Sequence, residues 1–334
     1  MNKITKYQLC AMLLIPDAFM LLCIHGELSV MRIAAVTVGI LIQAVMALPI
    51  AVYFSKGGEL SEWVSALFLI YVIFCGGMLV SRFIEAAGAL YIPYENSDGL
   101  GGSILIFGLA ALVCLYMSSS GIKALARASV IAAAVGALYL IVLAVSAVTG
   151  ANYENLARAG ESRSFIGDLA ASFPLGGGLG GLIVLSGLTE EKPLKSVLGY
   201  FAARVVMSAA VLVSAILVEG SISSISDFPV ITAAQLSQPF SSQRIDSLLL
   251  IIFAVFAVFS IAIQSAAASY LMQELFPKFT KLCSAAAIAL IIGAAFTMSF
   301  LGLSYIAAAA AAMIAVFIVP CILLIALKTA SRAR

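Results

Sequence analysis

Two short stretches of the chain put polar groups inside apolar segments, in a pattern suited to binding a small charged solute. Pro16 and Asp17 interrupt the first apolar segment, and Pro174 with five glycines interrupts the sixth within residues 173–181. A broken membrane helix frees backbone N–H and C=O groups that lipid cannot satisfy, so such breaks occur where they line a protected cavity. Paired breaks at equivalent places in two halves indicate the ligand site of a transporter.

The first break centres on the acidic residue Asp17. A carboxylate near the middle of a membrane costs about 2.5–3.5 kcal/mol on insertion scales, and Pro16 removes one helix hydrogen bond and clashes with the preceding turn. Two interpretations stay open. Either Asp17 lies beside a bound ligand with Pro16 and Ala18, or takes up a proton; or it caps the end of the broken helix.

The second break is a run of glycines that exposes the backbone. Gly176, Gly177 and Gly178 follow Pro174, and their dipoles can contact an ion or zwitterion with no side chain in the way. Close helix packing is the alternative, because small residues at spaced positions let membrane helices approach. Packing motifs use spaced glycines rather than a run, so we favour a ligand cavity. Gln264 in the eighth segment either adds hydrogen bonds to this cavity or serves only packing between helices.

Three further charged residues lie inside apolar segments. Arg82 and Glu85 are three positions apart, so they share a helix face and can form an ion pair within the third segment. Arg204 has no neighbour of opposite charge in the seventh segment, and its candidate partners are Asp17 and Glu85. We assign these residues structural or coupling roles.

Other kinds of chemistry have no support in the sequence. No Walker loop, H-E-x-x-H or G-x-S-x-G motif occurs in a suitable context, and the six cysteines form no C-x-x-C pair. A net charge of +2 is too small to indicate a nucleic-acid surface. We expect no enzymatic activity, cofactor or metal, and we interpret the single histidine, His25, as a surface or interface residue.

The composition predicts that these residues lie on transmembrane helices. The 334 residues are 63% apolar and only 10% charged, and their mean hydropathy is +1.15, values typical of a polytopic membrane protein. Crossing roughly 30 Å of hydrocarbon takes about 20 helical residues. Ten such segments are predicted, at residues 7–25, 29–54, 63–91, 101–118, 127–149, 166–188, 195–219, 245–273, 281–300 and 302–327.

The loops predict the orientation of these helices. Lysine and arginine collect in the loops on the side of the N-terminus, so the positive-inside rule places both termini in the cytoplasm. The polar residues 151–168, interpreted as an interfacial helix or lid, separate five helices from five more. The predicted fold is therefore one all-α membrane domain with a 5+5 inverted repeat, residues 1–150 and 151–334, in which helices 1 and 6 are discontinuous.

Several short motifs resemble those of a known family. They are Lys3-Ile-Thr-Lys-Tyr-Gln-Leu9, Arg82-Phe-Ile-Glu85 followed by Pro93, Gly121-Ile-Lys-Ala-Leu-Ala-Arg127, Phe228-Pro-Val-Ile-Thr-Ala-Ala-Gln235, and Phe240-Ser-Ser-Gln-Arg-Ile-Asp246. In their order and spacing the chain resembles the GerAB-type spore germination permeases, a branch of the amino acid/polyamine/organocation (APC) transporter superfamily. Arg244 and Asp246 match the most specific of these motifs.

The resemblance implies a LeuT/APC-like fold and a role as the B-subunit of a nutrient germinant receptor in the inner membrane of a bacterial spore. It further implies a small germinant of the amino acid class as ligand, and an A-subunit and a lipoprotein C-subunit as partners. Two alternatives stay open. One is a proton- or sodium-coupled amino acid transporter, favoured by Asp17 in the first break; the other is a membrane anchor that holds partner subunits and binds nothing.

Overall fold

The computed structural model describes residues 3–55, 62–91, 99–149, 153–158, 164–190, 193–220, 226–236, 246–280 and 282–301. Over these ranges the chain is all-helical, with one isolated β-bridge between Ile4 and Thr189 and no strand. The α-helices are α1 Lys6–Leu22, α2 Val30–Ser55, α3 Glu62–Tyr91, α4 Gly99–Ser119, α5 Ile122–Thr149, α6 Glu154–Arg158, α7 Phe165–Ser172, α8 Leu179–Gly187, α9 Pro193–Glu219, α10 Pro229–Leu236, α11 Asp246–Leu275 and α12 Cys283–Leu301.

Six of these helices are long and apolar enough to cross a membrane: α2, α3, α5, α9, α11 and α12. The pair formed by α7 and α8, bent by 46° at a short break, is a seventh candidate. The chain is therefore an all-α integral membrane protein. The predicted tenth helix, at residues 302–327, lies outside the described residues, and the ten-helix inverted repeat stays a prediction.

The prediction that helix 1 is discontinuous is wrong. Helix α1 runs unbroken from Lys6 to Leu22 with Pro16 inside it. A proline inside a helix costs about 3 kcal/mol or more in isolation, but membrane helices tolerate it where neighbouring helices hold the segment. Every residue of α1 from Ala11 to Leu22 except Leu14 is buried, because α5, α9 and α11 pack around it. This burial keeps the helix continuous across the missing hydrogen bond.

The predicted break in the sixth segment is present. Helix α7 ends at Ser172, a single 3₁₀ turn covers Phe173–Leu175, and α8 begins at Leu179. Pro174 stands at the start of the 3₁₀ turn, where its missing N–H removes a donor that would continue α7. Glycines follow the turn, so the N-cap residue of α8, Gly178, has no side chain with which to cap the first turn.

Helices α1 and α8 lie side by side and run in opposite directions. The N–H of Ile4, just before α1, donates to the carbonyl of Leu188 (2.9 Å), and the N–H of Glu190 donates to the carbonyl of Ile4 (3.0 Å). The start of α1 therefore lies beside the end of α8. This antiparallel pairing brings the middle of α1 against the start of α8, where the break in the sixth segment lies.

The predicted interfacial segment at residues 151–168 is described only in part. It contains the short helix α6 and the first residues of α7. Asn155 of α6 donates from Nδ2 to the carbonyl of Leu217, 3.1 Å away, near the end of α9. Helix α6 is thus packed on α9.

Candidate binding site at the break of the sixth segment

Asp17 of α1 caps the N-terminus of α8. The N–H of Gly178, the N-cap residue of α8, donates to Oδ1 of Asp17 over 2.9 Å. Free N–H groups and the helix dipole make a helix N-terminus favourable for negative charge. Asp17 is thus a capping residue, which is one of the two interpretations of the sequence. It caps α8, however, and not its own helix α1.

Arg204 of α9 pairs with this same carboxylate. Its Nε lies 3.2 Å from Oδ2 of Asp17, and both side chains are only 1% exposed. The hydroxyl of Tyr200, one turn earlier on α9, donates to Oδ2 of Asp17 over 2.5 Å. Of the two candidate partners of Arg204, the structure selects Asp17.

Gln43 of α2 connects Arg204 to the other side of the break. Nη1 of Arg204 donates to Oε1 of Gln43 over 2.6 Å. Nε2 of Gln43 makes longer contacts with the carbonyls of Ser172 and Phe173, at 3.4 and 3.5 Å. Side chains from α1, α2 and α9 thereby reach both half-helix ends. Sequence reasoning missed Gln43 and Tyr200; the signal for Gln43 was an isolated amide in an apolar helix.

Gln264 of α11 contacts the break from the opposite side. Its Nε2 donates to the carbonyl of Gly177 over 2.7 Å, and the side chain is fully buried. Its Oε1 has no hydrogen-bond partner among the described residues, and neither has Nη2 of Arg204. One buried acceptor and one buried donor group are therefore unused next to the break.

The glycines of the break pack directly against the backbone of α1. A Cβ on Gly177 would lie 2.9 Å from the carbonyl oxygen of Pro16, and a Cβ on Gly178 would collide with the carbonyl oxygen of Leu13. In this conformation the two glycines let the break pack closely against α1. Close packing is the alternative to a ligand cavity, which we did not favour from the sequence. Ligand binding at Pro174, Gly176, Gly177 and Gly178 stays a prediction.

Two apolar grooves have no charged residue in their lining. An apolar groove of about 550 Å³ runs between α1, α5, α9 and α11 and has Ala18 and Phe256 in its lining. A second, of about 350 Å³, lies between α3, α4, α11 and α12. Ala18 therefore borders an apolar groove, whereas the adjacent Asp17 takes part in the polar network.

Arg82 and Glu85 form a separate cluster near the end of α1. Nη1 of Arg82 lies 2.8 Å from Oε2 of Glu85, which is the contact that their three-residue spacing allows. Nε2 of His25 lies 3.3 Å from the same oxygen, and Nδ1 of His25 contacts the carbonyl of Asp227 at 3.0 Å. His25 is thus an interface residue joining α1 to α3 and to the segment before α10, as predicted.

The two remaining predicted site residues are Arg244 and Asp246. Asp246 is the first residue of α11, and Arg244 lies outside the described residues. Among the described residues, no group of three or more histidine, cysteine, aspartate or glutamate side chains is arranged to hold a metal ion.

We compared the chain with protein-family models and with curated proteins. No family model matches the chain, and no curated protein matches it. The structure by itself defines the class as an all-α integral membrane protein with a broken helix and a buried ion pair at the break. The resemblance to spore germination permeases rests on the short motifs alone.

Proposed function

We propose that this protein binds a small solute of the amino acid class at the break between α7 and α8, and that it serves as the membrane-embedded B-subunit of a nutrient germinant receptor. The binding part of the proposal rests on the site; the receptor role, the spore inner membrane and the A- and C-subunit partners rest on the motif resemblance. In the receptor, solute binding would change the contact between α1 and α8 and so signal to the partner subunits.

The buried Asp17–Arg204 pair is the observation that carries the binding proposal. Removing two charges from water costs several kcal/mol per ion, and well-packed apolar residues in their place are often equally or more stabilising. A purely structural break in a helix has no need of this pair, since a neutral side chain can cap Gly178 as well. Intramembrane charges of this kind mark solute and ion pathways.

The unused groups beside the break match the two ends of an amino acid. Nη2 of Arg204 can donate to a carboxylate, and Oε1 of Gln264 can accept from an ammonium group. Together they offer complementary contacts to a zwitterion. The bend of the broken span supplies a place where small movements of α7 or α8 can open space between them.

Binding is tested on the purified protein in lipid nanodiscs with the twenty common amino acids, each read as a shift in the melting midpoint. Gly177→Ala places a methyl group against the carbonyl of Pro16 and is expected to abolish the shift. Gly199→Ala is the matched control, because a Cβ there meets nothing within 4 Å. No shift with any amino acid, or equal shifts in both variants, contradicts the proposal.

The receptor role needs its own measurement. In spores that carry the chain with its partner subunits, Gly177→Ala is expected to abolish the response to the amino acid identified above, and Gly199→Ala to preserve it. A normal germination response in the Gly177→Ala spores would contradict the role.

An ion-coupled amino acid transporter is the second candidate, and the position of Asp17 favours it. A carboxylate at the start of a broken helix can bind a proton or a sodium ion as the solute moves. Uptake into proteoliposomes with and without an ion gradient separates the two functions. Accumulation that needs the gradient and is lost in Asp17→Asn would favour transport; binding without accumulation favours the receptor.

A further inference from the structure

The start of α8 is a complete anion site, and the protein's own carboxylate fills it. Three donors converge on the two oxygens of Asp17: the N–H of Gly178, the hydroxyl of Tyr200 and Nε of Arg204, at 2.9, 2.5 and 3.2 Å. A helix N-terminus combined with an arginine is a general arrangement for binding carboxylates. Nothing in this donor set requires the carboxylate to belong to Asp17.

The site has no room for a second carboxylate at the same point. A single methyl group on Gly178 would already collide with the backbone of α1, and one on Gly177 would press on the carbonyl of Pro16. A solute carboxylate that uses the N–H of Gly178 must therefore take the place of Asp17.

The guanidinium group of Arg204 allows the solute carboxylate to replace Asp17 stepwise. Its Nε holds Asp17 and its Nη1 holds Gln43, while Nη2 is buried without a hydrogen-bond partner among the described residues. An entering carboxylate can contact Nη2 before Asp17 leaves Nε, so the guanidinium keeps a negative partner throughout. The guanidinium is therefore never left buried without a negative partner, which would be costly.

We infer that Asp17 is a tethered competitor: it occupies the carboxylate position of the solute site and is displaced when a zwitterion binds. This inference rests on the proposed function, because it concerns the same site. The displaced Asp17 carboxylate then pairs with the ammonium group of the solute, so two positive and two negative charges stay balanced. A simple carboxylate lacks that ammonium group and would leave Asp17 buried and unpaired.

The exchange also couples binding to the position of α1. The contact between Asp17 and Gly178 joins residues 161 positions apart in the chain, and it links α1 directly to the broken span. Its loss on binding frees α1 from α8 at that point. Release of an internal contact by a ligand shifts the protein toward the conformation without that contact.

The test is chemical rescue with acetate as the probe. Asp17→Ala removes the carboxylate group and leaves the three donors without an acceptor, so acetate at tens of millimolar is expected to raise its melting midpoint by roughly 2–4 °C. Acetamide, which has the same shape and no charge, is expected to give no shift. Wild type is expected to show no shift with acetate, because its site is already filled.

Asp168→Ala is the matched control variant, because it removes another buried carboxylate, on α7 and 8% exposed. Acetate is expected to leave its melting midpoint unchanged. Asp17→Asn is the second test variant: the introduced amide oxygen can still accept from Gly178, so the fold is kept while Arg204 loses its counter-charge. Acetate is expected to displace this neutral side chain and to stabilise the variant too, because it restores a negative partner to Arg204.

The outcomes separate this inference from the proposed function. Equal acetate shifts in wild type and Asp17→Ala, or no shift in either Asp17 variant, overturn the tethered competitor even if amino acids bind wild type. Acetate rescue of the Asp17 variants alone, with no amino acid binding to wild type, supports the filled anion site and contradicts the proposed ligand.

Discussion

Separating Asp17 from Arg204 should destabilise the protein far more than removing both charges together. Their closest atoms are 3.2 Å apart and both side chains are almost completely buried. At an effective dielectric constant of about 20, Coulomb's law gives an attraction of about 5 kcal/mol at this distance. Breaking a buried pair by removing one partner typically costs about 3–5 kcal/mol, because the remaining charge is left without compensation.

The perturbation is a double-mutant cycle with Arg204→Met and Asp17→Asn. Each single variant leaves one buried charge unpaired, and we expect each to lose about 3–5 kcal/mol of the free energy of unfolding. The double variant contains neither charge, and the asparagine side chain introduced at position 17 can still accept from the N–H of Gly178. We expect it to lose only about 1–2 kcal/mol, mainly through the contacts of Tyr200 and Gln43.

Unfolding is followed by titration with SDS in mixed micelles, where refolding on dilution checks reversibility. The coupling energy is the difference between the double variant and the sum of the two single variants, and neighbouring residues in one network give values of about 0.5–3 kcal/mol or more. We expect a value of about 4 kcal/mol or more, because the two single losses together exceed the loss of the double variant by at least that amount. Additive effects of the two substitutions would contradict this expectation, because they would mean that neither charge depends on the other.

Three further substitutions test other contacts by the same titration. Gly178→Ala should destabilise by more than about 2 kcal/mol because the new methyl group collides with the carbonyl of Leu13, whereas Gly199→Ala should be neutral or stabilising by up to about 1 kcal/mol; similar values for the two would contradict the packing at the break. Thr5→Ala removes the capping box of α1 and should cost about 1 kcal/mol, and an unchanged stability would show that the cap contributes nothing. Glu85→Gln weakens an ion pair in which the Glu85 side chain is 37% exposed, so its effect should stay below about 1 kcal/mol; a loss as large as that of Arg204→Met would contradict this.

The two proline positions show how far local sequence determines a helix break. At Pro174 the missing donor is followed by Gly176, Gly177 and Gly178, so no nearby residue favours continuing the helix. Pro16 is followed by Asp17 and a run of apolar residues that pack on three other helices. The same residue type therefore gives a break in one case and a continuous helix in the other.

The charged residues show a similar division. The pairing of Arg82 with Glu85 follows from spacing on one helix, and the structure contains it. The partner of Arg204 could not be read from spacing, because Asp17 and Glu85 lie on other helices and either could have reached it. Gln43 and Tyr200 carried no local motif that marked them as members of the network.

Composition and hydropathy alone determined that this is a helical membrane protein, and a proline followed by glycines determined that its sixth segment is interrupted, because both depend on the chemistry of adjacent residues. The tertiary structure alone decided that α1 stays continuous, that Asp17 caps α8 and that Arg204 pairs with Asp17. Each of these depends on groups far apart in the chain, which burial forces to satisfy one another's hydrogen bonds and charge.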